Sequence, residues 1–269
     1  MSGNTVNPEA ADKLEEFFSG FAGMAKPLLL LDYDGTLAPF RVDRFKARPW
    51  AGVRELLASI QKQGRTRMAV VTGRPAAEIA PLLGLDPKLE VWGLHGAERL
   101  RPNGSRELEK APAATQLELE ELRAALKNDS LGGLFEDKAN AVVMHWRGAP
   151  PQKARLIERK TRALFESLAE MDGLGLLEFE AGLELRVGRD KGGAVRAIME
   201  EAGALGPVAY LGDDLTDEAA FRAVQQIGNR GLSVMVRRSW RETVAEVWLR
   251  PPEELRGFLQ RWIEAAAAD

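Results

Sequence analysis

Leu28-Leu29-Leu30-Leu31-Asp32-Tyr33-Asp34-Gly35-Thr36-Leu37 places two carboxylates and a turn directly after an unbroken apolar run. The run Pro27 to Leu31 reads as a strand buried on both faces. Asp32 and Asp34 are two apart, so on a continuing strand they share one side. Gly35 and Thr36 then turn the chain. Charges at the carboxyl end of a parallel strand lie where open α/β sheets bind ligands. A turn after a strand is often acidic for structural reasons alone, so Asp34-Gly35 by itself means little. The whole string is far more specific.

Outward from this stretch, short apolar runs alternate with amphipathic segments of helical length. Arg67–Val71, Leu89–Leu94, Val208–Leu211 and Leu232–Val236 read as further buried strands. Trp50–Gln63, Pro75–Leu83, Gly192–Ala202 and Asp217–Gln226 read as helices between them. Buried strands alternating with helices predict an α/β fold with a parallel sheet covered on both faces. The middle of the chain differs. Ala114–Lys127 and Lys153–Met171 read as helices, and Leu134–Lys138, Ala141–Arg147, Leu176–Glu180 and Leu183–Val187 as half-exposed antiparallel strands. Two hairpins, turning at Ala139-Asn140 and Ala181-Gly182, are expected. The expected organisation is a core domain of residues 1–107 and 186–269, with a smaller α+β domain of residues 108–185 inserted.

The residue types predict phosphoryl transfer. An aspartate can attack phosphorus and form an aspartyl-phosphate that water then hydrolyses. A second carboxylate can protonate the leaving oxygen and deprotonate the water. Carboxylates beside a phosphate need a cation, and Mg²⁺ suits an all-oxygen site. Thr72-Gly73-Arg74 ends the second strand with a hydroxyl and a glycine, at a turn whose N–H groups can hold phosphate oxygens. A helix cap at Thr72 is an equally good reading of that residue alone. Lys191 stands near a helix N-terminus, against the dipole, which argues for a ligand-related role, while a solvated lysine is a fair reading of that residue alone. Gly212-Asp213-Asp214-Leu215-Thr216-Asp217 adds three carboxylates after another buried strand. Clustered anions are costly without a metal or cation.

In order along the chain, these motifs resemble those of the haloacid dehalogenase superfamily of phosphotransferases. The resemblance implies a Rossmann-like core, with Asp32 as nucleophile and Asp34 as general acid/base. It implies that Thr72, Gly73, Arg74 and Lys191 hold the phosphate, and that Asp32, the Asp34 carbonyl and Asp213 bind Mg²⁺. Asp214 and Asp217 are supporting acidic residues of the metal site. Gly93-Leu94-His95-Gly96-Ala97-Glu98, Glu136-Asp137-Lys138, His145-Trp146-Arg147, Glu184-Leu185-Arg186 and Gly212 to Glu218 are similar to trehalose-6-phosphate phosphatases. That family implies an inserted cap, or lid, whose residues contact the sugar. Val187 departs from the proline usual there after Glu-x-Arg, and Leu94 from a smaller or polar residue. Alternation supports a polar cap face of its own: Glu136 and Lys138, His145 and Arg147, and Glu184 and Arg186 each share a side. A solvated sheet face would look the same in isolation. His95 is read as a loop-holding residue outside the catalytic set.

The expected activity is hydrolysis of trehalose 6-phosphate. The alternatives are another sugar phosphate, such as sucrose phosphate or a glucosyl-phosphoglycerate, and a non-catalytic sugar-phosphate sensor. Composition excludes other classes. Among 269 residues there is no cysteine, which removes disulfides, thiolate catalysis and Cys-ligated zinc. A net charge of −3 gives no global basic surface of the kind that drives nucleic-acid binding, and leaves room for a local positive pocket. No secretory leader or membrane span is read. The expected setting is cytoplasmic, as a monomer acting on a small sugar phosphate and associating with a trehalose-phosphate synthase.

Overall fold

The computed structural model describes residues 8–21, 26–128, 134–138, 141–171, 173–179, 181–203 and 206–267. They form two compact units, one of Met1–Glu107 with Lys191–Asp269 and one of Leu108–Asp190.

The first unit begins with α1 (Pro8–Ser19), β1 (Leu28–Leu31), α2 (Val53–Gln63), β2 (Arg67–Val71) and α3 (Ala76–Leu83). β3 (Glu90–Gly93), β4 (Glu98–Leu100) and β5 (Arg106–Leu108) follow. The second unit carries α4 (Ala113–Asn128), β6 (Phe135–Lys138), β7 (Ala141–His145), α5 (Pro151–Ala169), β8 (Leu174–Phe179) and β9 (Gly182–Val187). The chain then returns to the first unit with α6 (Lys191–Ala202), β10 (Val208–Gly212), α7 (Glu218–Gln225), β11 (Gly231–Val236), β12 (Val247–Leu249) and α8 (Glu253–Ala267).

The large sheet has the order β12-β11-β10-β1-β2-β3-β4-β5. It is parallel from β12 to β3, and β4 runs antiparallel to β3. Alternation within β1 divides its leucines between two cores. Leu29 and Leu31 join Phe17, Leu57, Ile79 and Trp262 on one face. Leu28 and Leu30 join Val195, Ile198, Phe221 and Val224 on the other. This double burial is why an all-leucine strand is stable only at the sheet centre, where β1 lies between β10 and β2. Asp32 therefore emerges at the carboxyl end of a central strand, beside the ends of β10 and β2.

β1 stops at Leu31, as expected, so Asp32 and Asp34 do not share the side of a continuing strand. Gly35 N donates to Ala38 O at 2.7 Å and Ala38 N to Tyr33 O at 2.9 Å, closing a tight loop instead. Helix α2 starts at Val53, after Gly52 in the left-handed region (φ 84°). The segment from Trp50 is thus partly loop. α1, β4, β5, β12 and all but the end of α8 were not legible as elements. The strands are too short for a periodic signal, and α1 is fixed by tertiary packing of Phe17 and Phe18 against Trp262.

The second unit is a four-stranded antiparallel sheet in the order β6-β7-β9-β8. One face packs Val142, Met144, Leu183 and Leu185 on Leu119 and Leu122 of α4 and Ile157 and Phe165 of α5. β8 pairs with β9 through a hairpin that turns before Gly182, which belongs to the strand. The predicted turn residues Ala139 and Asn140 lie outside the described residues.

Candidate active site

Asp32 is buried at the end of β1, its N–H still in the sheet ladder with Leu211 O at 2.8 Å. Its two oxygens have different partners. Oδ1 accepts from Lys191 Nζ at 2.7 Å, and Oδ2 accepts from the Thr36 hydroxyl at 3.2 Å. Lys191 is the first residue of α6, which aims its side chain into the interior. Nζ also donates to Asp217 Oδ1 at 2.7 Å. The unfavourable position of this lysine against the helix dipole is thus offset by two buried carboxylates.

The loop after β10 is organised by Asp217. Its Oδ2 accepts from the backbone N–H of Asp213 at 3.0 Å and of Asp214 at 2.9 Å. Its Oδ1 accepts from Lys191 and from the Tyr210 hydroxyl at 2.6 Å. Both oxygens of Asp217 are therefore occupied by protein donors. Gly212 is required here, because a Cβ would lie 2.4 Å from Asp217 Cγ. Gly35 is required for a second reason. Its φ is +84°, and a Cβ would lie 2.1 Å from Asp213 Oδ2. The Asp213 carboxylate thus presses against the loop that follows Asp32. Oxygens of Asp32, Asp213 and Asp217 all lie within 4.8 Å of one another.

This concentration of charge shifts the titration of its members. Burial, opposed by Lys191, pushes the Asp32 carboxyl up to about 7. Burial, then the charges of Asp32 and Asp217, push Asp213 up to about 9. Burial alone would lower Lys191, but Asp217 and Asp32 outweigh it and raise its pKa, so its ammonium stays charged. Burial and Asp217 raise Tyr210, which keeps it a donor. One ammonium does not neutralise three buried carboxylates. An all-oxygen site with a charge deficit of this kind fits a hard divalent cation.

The other expected residues are placed as follows. Asp34 does not face the three-carboxylate cluster through its side chain. It is paired bidentately with Arg74, whose Nε donates to Oδ2 at 2.6 Å and whose Nη2 donates to Oδ1. Arg74 is held over the Tyr33 ring at 5.6 Å and also donates to Arg44 O at 2.7 Å. Thr72 is buried and does not cap α3; its hydroxyl accepts from Arg74 N at 3.2 Å. The first N–H of α3, on Ala76, is instead capped by Glu98 Oε2 at 2.7 Å, a side chain 22 residues away. His95 N donates to Thr72 O at 2.8 Å, and its ring lies where a Cβ on Gly73 would sit, 2.7 Å from Nε2. His95 therefore holds the Thr72-Gly73 turn. The Asp214 carboxylate is exposed and accepts from Leu215 N at 2.8 Å, capping a short turn rather than joining the cluster. Tyr210 and Thr36 were missed, since one reads as strand core and the other as a turn residue.

In the second unit, strand register places Glu136, Lys138, Val143, His145, Glu184 and Arg186 on the side opposite the helices. Lys138 Nζ donates to Glu184 Oε2 at 2.9 Å, and His145 Nε2 lies 3.0 Å from Glu136 Oε2. The His145 ring meets Phe179 edge-on at 5.5 Å. Arg147 lies past the end of β7, exposed in the following turn. Alternation therefore does not govern it.

The family model of the trehalose-phosphatases matches residues 30–247, a span that contains every one of these motifs. The chain belongs to the trehalose-phosphatase family. The trehalose-phosphate phosphatase of Mycobacterium marinum is 33% identical over 250 residues, covering 88% of this chain and 61% of that protein. The chain thus spans 61% of the length of that mycobacterial relative. The trehalose-6-phosphate phosphatase of Escherichia coli K12 is 29% identical over 234 residues, covering 83% of this chain and 85% of that protein. A solved structure of Aspergillus fumigatus trehalose-6-phosphate phosphatase matches with a TM-score of 0.77 at 26% identity, over 94% of this chain and 97% of that one. The expected haloacid dehalogenase fold, a parallel α/β core with a smaller antiparallel sheet, is borne out. Among the described residues, no helix is long and apolar enough to cross a membrane.

Proposed function

We propose that this trehalose-phosphatase family member hydrolyses trehalose 6-phosphate to trehalose and phosphate with Mg²⁺. The observation that carries the reading is the buried Asp32, hydrogen-bonded on one oxygen to Lys191 and lying within 4.8 Å of the other two carboxylates of the cluster. In the proposed path an Asp32 oxygen attacks phosphorus, the bond to the sugar oxygen breaks, and a proton from Asp34 goes to that oxygen. Asp34 then takes a proton from water as the water attacks the aspartyl-phosphate, which releases phosphate and restores Asp32. Arg74 holds Asp34 between these steps. Lys191 and the Thr72-Gly73 turn supply positive charge and N–H donors to the phosphate oxygens.

Asp32 and Asp213, with the Asp34 carbonyl, would hold Mg²⁺. When bound, Mg²⁺ offsets the charge of the carboxylates and the phosphate. We assign Asp217 to bracing the loop, because both its oxygens already accept from protein donors. Glu136, Lys138, His145, Arg147 and Glu184 are proposed to meet the sugar hydroxyls. The Lys138–Glu184 ion pair and the His145–Glu136 hydrogen bond hold acceptors and donors ready for exchange with hydroxyls. A cytoplasmic monomer associating with a trehalose-phosphate synthase completes the reading and bears on none of these steps.

The test is phosphate release by the purified chain with Mg²⁺ over a panel of sugar phosphates. Preferred turnover of trehalose 6-phosphate is expected. Equal or better turnover of another member would overturn the substrate assignment.

A further inference from the structure

The acidic loop after β10 is held from two sides, and only one of them belongs to the chemistry described so far. Asp217 takes the N–H groups of Asp213 and Asp214. Their carbonyls point to a guanidinium. Arg241 Nε donates to Asp213 O at 3.3 Å, and its Nη2 donates to Asp214 O at 2.7 Å. Arg237 Nη1 adds a second donor to Asp213 O at 3.3 Å. Arg241 Nη1 is 2.6 Å from Glu218 Oε1 and donates to Glu242 O at 2.7 Å, so every nitrogen of this side chain is engaged.

The segment carrying Arg241 is itself tied down. Glu218 Oε2 accepts from Val244 N at 3.0 Å, and Gln225 Nε2 donates to Val244 O at 2.6 Å. Glu218 and Gln225 are the first and last residues of α7. The connection between β11 and β12 is therefore stapled along one helix, and Arg241 projects from it onto the acidic loop. Both side chains of the Arg241–Glu218 pair are mostly buried, at 16% and 14% exposure.

A peptide plane fixed at both its N–H and its C=O has lost its main freedom to rotate, and the Cα–Cβ direction of Asp213 is set with it. We propose that Arg241, braced by Glu218, is a positioning residue that orients the Asp213 carboxylate for a divalent cation. The guanidinium also places positive charge behind a loop that carries three carboxylates. The inference rests on the reading of Asp213 as a metal ligand, but needs nothing about the sugar. Outer groups that orient metal ligands typically change metal affinity by about 10–100-fold when removed.

The experiment is Mn²⁺ binding to the full chain without substrate, read from the electron paramagnetic resonance signal of free Mn²⁺. Wild type is compared with Arg241→Ala, Arg241→Lys and Glu218→Gln, with circular dichroism to check folding. Mn²⁺ affinity is expected to fall about tenfold or more for Arg241→Ala. Arg241→Lys is expected to recover part of that loss through its remaining donor. At saturating metal, the KM for the sugar phosphate should match wild type. If Arg241→Ala does not fold, the lysine and Glu218→Gln variants decide the matter by the same loss of affinity. Folded variants that bind Mn²⁺ within twofold of wild type would overturn the proposal. A wild-type chain that binds no Mn²⁺ would overturn it together with the metal reading. One that binds Mn²⁺ yet spares trehalose 6-phosphate sinks the substrate reading alone.

Discussion

The two polar regions of the molecule are built on opposite plans. At the ends of β1 and β10 the central network is almost fully buried: Asp32, Lys191 and Asp217 have at most 4% of their side chains exposed. Each has two or more partners. On the sheet of the second unit, Glu136 and His145 are 52% and 40% exposed and form one pair; Lys138 is 42% exposed in another. Buried charges in a fixed network cannot reorient without large cost, which suits a reaction centre that must be preorganised. A pair exposed on both sides, as Glu136–His145 is, exchanges partners cheaply, which suits recognition of a ligand rich in hydroxyls; in the other pair Glu184 is only 10% exposed.

The largest effect is expected from Asp32→Asn. It keeps the shape and removes the attacking charge, so turnover should fall by at least about 10⁴-fold. Phosphate release and trapping of a phosphoenzyme measure it; activity near wild type would refute the nucleophile assignment. Next is Lys191→Met. It leaves Asp32 and Asp217 buried without their cation, a loss of about 3–5 kcal/mol when one partner of a buried pair is removed. Urea unfolding in EDTA reads this directly, and a change below about 1 kcal/mol would show the network to be looser than its geometry.

Third is the pH dependence of the metal-free chain. Asp32 and Asp213 have pKa values raised to about 7 and about 9 against 3.8. Between about pH 4 and pH 9 the native state therefore binds more protons than the unfolded chain, and stability falls as pH rises through that window. Lys191, with its pKa raised, stays charged throughout it. Thermal midpoints in EDTA should drop from pH 5 to pH 9, and Mg²⁺ should restore more at pH 9 than at pH 5. A flat profile would contradict the charge crowding. The smallest stability effect belongs to Glu136→Gln on the other unit, expected below about 1 kcal/mol. Its KM should nevertheless rise with kcat nearly unchanged. An unaltered KM would remove Glu136 from sugar recognition and weaken the contrast between the regions.

The order of the motifs, the parallel core and the residue types of the candidate site were legible in the chain, because each depends on local pattern. Four leucines bounded by a turn read as a strand covered on both faces, and the acidic string after them lies where such sheets bind ligands. Alternation likewise marked Glu136, Lys138, Glu184 and Arg186 as sharing a face, and the register agrees. Alternation failed at Arg147, which lies past the end of β7 where a period of two no longer applies.

The opening stretch, Leu28 to Leu37, therefore determined by itself that a strand would deliver Asp32 to the carboxyl edge of a sheet. Tertiary structure decided what Asp32 and its neighbours would touch. Lys191 reaches it across 159 residues, Arg74 reaches Asp34 across 40, and Tyr210 turns from core residue to hydrogen-bond donor only once Asp217 is beside it. The physical reason is that strand burial follows from neighbours along the chain. The balance of buried charge depends on every ionised group within a few ångströms, wherever it lies in sequence.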